Sequence, residues 1–391
     1  MAGIAVNYDQ VLSLVGDVIR IALPPQTRDD PLYLPPACLS YWPILHWSVA
    51  VIRDRLPALG LVALLVLCPA PAPAADWGAV EIADERIAPG EQRRFTYQGE
   101  RSFEGSFVDF PVFVARGVKP GPTLCVTSGI HGDEVNSVEI ARRVFSEVKP
   151  SELSGTLVVL PSVNTLGFRT RQRNMVDRRD LNRAFPGSAN GSVASIVAHT
   201  VFNGVILGCN YLIDLHTGSN LRTNYPQIRV DESNSRALEL AHWFGVGLII
   251  TGPGPSGSIR REATQRGIPS IVYEAGPPYI FLESEIERGV EGVRNVMARL
   301  AMTAEPPSES VSKVLVRSRW LRVPRGGGGI YLPRVRVGDS VSEGQLLATI
   351  ADPVSDQVHE VRAEADGVVI GMSLPQVVLS GSALFHIGEI R

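Results

Sequence analysis

A histidine and a glutamate three residues apart, placed where an apolar strand gives way to a helix, constrain this chain more than any other feature. The stretch is Thr127-Ser-Gly-Ile-His131-Gly-Asp-Glu134. The run before it, from Thr123 to Val126, has the apolar character of a buried strand. After it, apolar residues at 135, 138, 140, 141 and 144 mark one face of a helix. The loop between them therefore sits at the C-terminal end of a strand, where open α/β sheets bind their ligands. An imidazole and a carboxylate at this spacing can grip one divalent metal ion, zinc first among them.

A third ligand has to come from elsewhere, and His216 in Leu212-Ile-Asp-Leu-His-Thr-Gly218 is the candidate. Like His131, it follows an apolar strand and enters a glycine-containing loop. Of the other histidines, His199 and His242 fall on predicted helices, His46 precedes the apolar segment near residue 60, and His359 and His386 lie in the C-terminal part. His131, Glu134 and His216 make a His₂Glu set that leaves one position open for water. Asp214, two residues before His216, is placed to orient that imidazole. Glu274, in Ile271-Val-Tyr-Glu-Ala-Gly276, ends another apolar run. A carboxylate in that setting needs a partner or a task. The alternatives are a general base for a water and a plain ion pair with an arginine. Asn182 and Arg183, in Asp180-Leu-Asn-Arg183, offer an amide and a guanidinium fork for a substrate carboxylate. Arg169, Arg171, Arg173, Arg178 and Arg179 surround them, and the sequence does not say which of these five touches substrate.

The pattern along the chain is α/β: a mainly parallel or mixed sheet with helices on both faces, followed by a small all-β domain. Strands are expected at 123–128, 155–160, 211–215, 227–230, 246–251 and 270–273. Helices are expected at 135–148, 192–207, 234–244, 258–266 and 283–300, with a hairpin before residue 120. The catalytic part spans 76–304. A polar, proline-containing linker covers 305–312, and glycine-rich turns with short strands fill 313–391. Lys+Arg 37 against Asp+Glu 40 gives no basic surplus for nucleic acid.

Residues 1–75 read as an N-terminal extension and a signal peptide. Arg53-Asp-Arg55, the apolar core 59–67 and Ala72-Pro-Ala74 supply the three parts of a cleavable leader. The expected location is periplasmic or secreted, or membrane-anchored if the leader is retained. No stable membrane insertion is expected after cleavage, and a homo-oligomer is left open. Cleavage leaves Cys125 and Cys209, both in apolar runs. Two buried thiols are the first expectation, and an oxidising compartment would permit a disulfide.

Four ordered motifs, Ser128-Gly-Ile-His-Gly-Asp-Glu134, Asp180-Leu-Asn-Arg183, Asp214-Leu-His-Thr217 and Tyr273-Glu274, resemble those of the succinylglutamate desuccinylase/aspartoacylase family, a branch of the zinc carboxypeptidase-like hydrolases. The resemblance covers roughly residues 110–390. It implies one Zn²⁺ per chain on His131, Glu134 and His216, substrate contacts from Asn182 and Arg183, and Glu274 as general base and acid. It also implies a small carboxylate-bearing amide, such as an N-acylated amino acid, as substrate. Two other readings compete: a metallocarboxypeptidase acting on short or cell-wall peptides, and a non-catalytic periplasmic binding protein.

Two further motifs carry less. Gly252-Pro-Gly-Pro-Ser-Gly257 has dinucleotide-loop spacing, but its two prolines remove backbone donors, so a loop bordering the active-site cleft is expected. Residues 330–390 are similar to a biotinyl/lipoyl-carrier hammerhead. No lysine follows Lys313, so a lid or gating role is expected in place of a covalent cofactor.

Overall fold

The computed structural model describes residues 77–101, 107–245, 247–308, 313–355 and 357–390. The expected leader and residues 309–312 of the expected linker lie outside the described residues. Among the described residues, no helix is long and apolar enough to cross a membrane.

A hairpin, β1 (Val80–Ile82) and β2 (Glu85–Ile87), precedes the main sheet. That sheet has twelve strands. Its first part contains β3 (Gln92–Arg101), β4 (Phe107–Arg116), β5 (Lys119–Thr127), β6 (Ser154–Leu160), β7 (Tyr211–His216), β8 (Arg222–Val230), β9 (Leu248–Thr251) and β10 (Ser270–Gly276). β5, β6, β7 and β10 run parallel, while β4 and β8 pair antiparallel with their neighbours β6 and β10. The helices are α1 (Val135–Glu147), α2 (Thr165–Thr170), α3 (Val193–Gly204), α4 (Ser235–Phe244), α5 (Ile259–Gln265) and α6 (Glu283–Arg299). Asn164 caps α2, Ser192 caps α3 and Asn234 caps α4, each accepting from a backbone N–H in the first turn.

Strand side chains alternate between the two faces, and this alternation divides the core. Leu124, Val126, Ile213, Leu215, Ile271 and Tyr273 pack against α1, α4 and α6. Cys125, Val158, Leu160 and Leu212 face the opposite layer, which holds α3, α5 and the first hairpin. The same alternation sends Thr127, Asp214, His216, Val272 and Glu274 to this second face. Register then aligns them: Thr127 lies opposite Asp214, and Glu274 opposite His216.

The cysteines depart from the first expectation. They are not two separate thiols but a disulfide, with Cα atoms 5.8 Å apart and a sequence separation of 84. Strand β5 and the entry to β7 are neighbours, so tertiary packing brings together two cysteines that sequence distance keeps apart. Closing a loop of that length is expected to stabilise the fold by roughly 2–4 kcal/mol. The double variant Cys125→Ala/Cys209→Ala should therefore melt well below the oxidised protein, and reductant should lower the melting temperature of the parent protein only.

From Lys313 onward the described elements are all strands. β11 (Lys313–Arg322) continues the main sheet by pairing parallel to β9. β12 (Gly329–Pro333), β14 (Leu346–Ala351), β15 (Val358–Arg362) and β17 (Val377–Val378) form a separate four-stranded sheet. β13 (Ser340–Val341), β16 (Gly367–Ser373) and β18 (Ala383–Ile390) extend the main sheet beyond β11. β16 also returns to pair with β8, with Gly371 opposite Asn224. β8, β9, β11, β18 and β16 thus close a ring of strands. Sequence reading placed only 227–230 in a strand, because Arg222 to Gln227 carries no apolar alternation. Its pairing with β10 and β16 forms that half of β8.

Candidate metal and active site

Two strand ends meet at one edge of the sheet and bring three ligand-type residues together. The loop after β5 brings His131 and Glu134, and the end of β7 brings His216. Their ligand-type atoms lie within 4.8 Å of one another, and all three residues are buried. Gly132 makes this possible: a Cβ there would come within 2.0 Å of the Gly167 backbone, so the loop can pass α2 only without a side chain. Ser219 Oγ donates to Asp133 at 3.1 Å, tying the loop after β7 to the loop after β5.

Each imidazole uses both nitrogens. His131 Nδ1 lies 2.6 Å from Glu134 Oε1 and its Nε2 3.1 Å from Asp180 Oδ1. His216 Nδ1 lies 2.7 Å from Glu134 Oε2 and its Nε2 2.8 Å from Asp214 Oδ2. Thr127 Oγ1 donates to the other Asp214 oxygen at 2.7 Å. Both Nδ1 atoms thus face the Glu134 carboxylate, while Asp180 and Asp214 hold both Nε2 atoms from behind. This is the arrangement that orients imidazoles for a metal. Burial alone would favour neutral rings. The charges and hydrogen bonds of Glu134 with Asp180, and of Asp214 with Glu134, overcome it and raise His131 and His216 above the ordinary imidazole value. Burial alone would likewise raise Glu134, but the two imidazoles outweigh it and hold the carboxyl far below the usual range. A buried carboxylate between two imidazoles fits a divalent cation by the chemistry of its donors: one anionic oxygen ligand and two nitrogens, with oriented support behind.

The triad lines a cavity of about 290 Å³. Glu274 faces it from β10. Asn224 Nδ2 donates to Glu274 Oε2 at 2.7 Å, and Arg229 Nε stands 3.0 Å from Oε1. Both expected alternatives for Glu274 therefore meet in one place: it has an arginine partner and it also faces the cavity beside His216. Asn224 can approach because Gly371 lies opposite it, where a Cβ would come within 2.9 Å of Asn224 Oδ1.

Asn182 and Arg183 also line the cavity. Asn182 Oδ1 accepts from the Ile259 N–H at 2.9 Å, and its Nδ2 lies 3.3 Å from His216 Nε2. Arg183 Nη1 donates to the Asn182 carbonyl at 2.6 Å. Of the five arginines at 169–179, Arg173 is the one that lines the cavity. It stands 2.8 Å from Asp180 Oδ2 and 3.5 Å from Glu134 Oε1. The proline–glycine loop contributes Pro255 and Ser258 to the wall, as expected of a loop bordering the cleft.

Lining residues not singled out from sequence include Arg222, Asn224 and Arg229 of β8, Arg260 of α5 and Trp320 of β11. Arg260 is buried, and burial pushes its guanidinium down to about 10. Trp320 stacks flat on His386, with ring centroids 4.5 Å apart.

His386 is 4% exposed. Burial, with the charges of Arg229 and Arg222, pushes it down to about 3. An unfolded imidazole titrates near ~6.5. Between those two values the unfolded chain takes up a proton that the folded chain refuses. Stability therefore falls as pH drops through that window, by about 2 kcal/mol from this group at pH 5. His386→Phe keeps a ring on Trp320 and removes the titration. Urea unfolding should show that this variant loses about 2 kcal/mol less than the parent protein between pH 7.5 and 5.

Residues 120–300 match the model of the succinylglutamate desuccinylase/aspartoacylase catalytic domain. The chain is 25% identical, over 69% of its length and 83% of the relative's, to the N-alpha-acetyl-L-2,4-diaminobutyric acid deacetylase of Halomonas elongata. A succinylglutamate desuccinylase/aspartoacylase structure from Rhodobacter sphaeroides superposes with a TM-score of 0.71 at 23% identity, covering 77% of this chain and 95% of that one. The product-bound ectoine utilization protein EutE (DoeB) of Ruegeria pomeroyi superposes with a TM-score of 0.70 at 20% identity, covering 77% and 97%. These two likenesses establish the shared fold.

Proposed function

We propose that this chain, whose residues 120–300 match the succinylglutamate desuccinylase/aspartoacylase catalytic domain, is a zinc-dependent hydrolase cleaving the amide bond of an N-acylated amino acid or a related small carboxylate-bearing amide. The observation that carries this reading is the convergence of His131, Glu134 and His216 within 4.8 Å, in a cavity that Glu274 also faces. His131, Glu134 and His216 would hold the ion, which supplies a Lewis acid for the amide carbonyl. Glu274, aimed by Asn224 and Arg229, takes a proton from the attacking water and returns it to the leaving amine. Arg173, fixed by Asp180 beside the ligands, stabilises the charge that develops on the carbonyl oxygen. Arg183 receives the substrate carboxylate.

The leader-like segment before residue 76 and the Cys125–Cys209 bond together support a location outside the cytoplasm. The test of the activity is metal analysis followed by a screen of N-acetyl and N-succinyl amino acids against short peptides, with a chelator control. Chelator-sensitive release of free amino acid from acylated amino acids is the expected result. Turnover of peptides alone would favour the carboxypeptidase reading, and ligand binding without metal or turnover would favour a binding protein.

A further inference from the structure

Most of the arginine-rich loop has no part in the cavity. Arg173 enters it and pairs with Asp180, and Arg179 pairs with Asp177. Arg169, Arg171 and Arg178 are exposed, with no carboxylate partner among the described residues. Leu166 and Val176 stand exposed on the same stretch.

Beyond β10 the chain runs Pro277-Pro278-Tyr279-Ile280-Phe281-Leu282. The prolines are buried, and the four side chains after them are 37% to 62% exposed. Single exposed apolar residues are ordinary, but a contiguous patch of them marks a contact surface. This run is held in place. Tyr279 N donates to the Asp133 carbonyl at 2.9 Å, and Leu282 N to Asn136 Oδ1 at 3.0 Å. Tyr279 takes φ +65°, a left-handed conformation that is strained for a bulky aromatic residue. Strain of that kind persists only where the surroundings fix it, and here it holds an apolar tip in water.

One dipeptide ties the tip to the arginine loop. Gly132 N donates to the Gln172 carbonyl at 3.0 Å, and the Asp133 carbonyl accepts from Tyr279. Arg171 is near enough for its charge to act on the Tyr279 hydroxyl. The result is one surface beside the His131 loop, with aromatic and aliphatic side chains at its tip and unpaired guanidiniums next to them.

We propose that this surface docks on an anionic lipid bilayer, with Ile280 and Phe281 entering the boundary between headgroups and acyl chains while Arg169, Arg171 and Arg178 meet lipid phosphates. Four consecutive exposed side chains make a projecting tip. A protein partner must match such a tip with a hollow, whereas a fluid bilayer accepts it without one. Guanidiniums free of carboxylates bind phosphate through paired hydrogen bonds, and basic residues beside an apolar contact are drawn to anionic headgroups. The contact is peripheral and needs no spanning helix. It is independent of the hydrolase reading.

The full chain is mixed with vesicles of phosphatidylglycerol and phosphatidylcholine in equal parts, and with vesicles of phosphatidylcholine alone. Phe281→Trp reports on the tip itself, whatever else in the chain meets lipid. Its added emission over the five native tryptophans should shift to the blue with the mixed vesicles and be quenched by lipids brominated on the acyl chain. In that background, Arg169→Gln/Arg171→Gln/Arg178→Gln should cut the quenching by at least about threefold, and high salt should do the same without it. Melting temperature serves as the folding control. Emission at position 281 that mixed vesicles leave unchanged overturns the inference, as does equal quenching with and without phosphatidylglycerol. A lipid-free dimer in analytical ultracentrifugation that Ile280→Ser/Phe281→Ser splits into monomers also overturns it, and gives the surface to a second copy of this chain.

Discussion

Exchanging Glu134 for glutamine is expected to strip the chain of its divalent metal and to lower turnover on the order of 10⁴-fold. The side chain keeps its length, so the change is one of charge. In the parent protein the Glu134 carboxylate faces Nδ1 of both His131 and His216 and accepts from the Thr217 N–H at 3.1 Å. A neutral amide still accepts from Thr217, but it offers a cation no anionic ligand. The two imidazoles lose the charge that held them, while Asp180 and Asp214 still fix their Nε2 atoms. The fold should survive, because the exchange leaves no carboxylate buried without a partner, an outcome that removing either imidazole would risk at about 3–5 kcal/mol. Metal analysis after dialysis, alongside far-UV circular dichroism, checks both parts. A Glu134→Gln protein that retains one metal per chain would show that the ion sits elsewhere.

The second large effect is expected at Glu274. Glu274→Gln should retain metal and fold and lose turnover by roughly 10²–10⁴-fold, the range for removal of a general base. The loss should appear in kcat with KM little changed, since an amide of the same shape still fills the space beside Asn224 and Arg229. Glu274→Asp, which keeps the charge and withdraws it by one methylene, should fall between the two. Activity within tenfold of the parent protein for Glu274→Gln would reduce Glu274 to the ion-pair partner of Arg229. Both measurements should be made on the same preparations, because together they separate loss of the ion from loss of the proton carrier.

Much of this site was legible in the linear chain. His131, Glu134, His216 and Glu274 each follow an apolar strand, and strand ends in an α/β sheet share an edge. Asp214 was legible because alternation puts residues 214 and 216 on one face. The arginines of β8 were not. Arg222 sits in a segment without apolar alternation, Arg229 sits between Ile228 and Val230 in a short expected strand, and nothing local distinguishes either from a solvated charge. Their place in the cavity follows from β8 pairing antiparallel to β10, with Arg229 opposite Val272. Trp320 was hidden for a different reason: it lies 46 residues beyond Glu274 in sequence, in the strand that extends the main sheet past β9.

Local chemistry in the sequence therefore determined the element order, the two-faced sheet and the three residues suited to hold an ion. These depend on periodicity and on residue type at strand ends, which act over a few residues. Only the tertiary structure decided that Cys125 meets Cys209, that Asn224 and Arg229 aim Glu274, and that Arg222, Arg260 and Trp320 enter the cavity wall. Those outcomes depend on which strands become neighbours and in what register. Pairings between residues tens to hundreds of positions apart are set by the packing of the whole sheet, and no short stretch of the chain contains them.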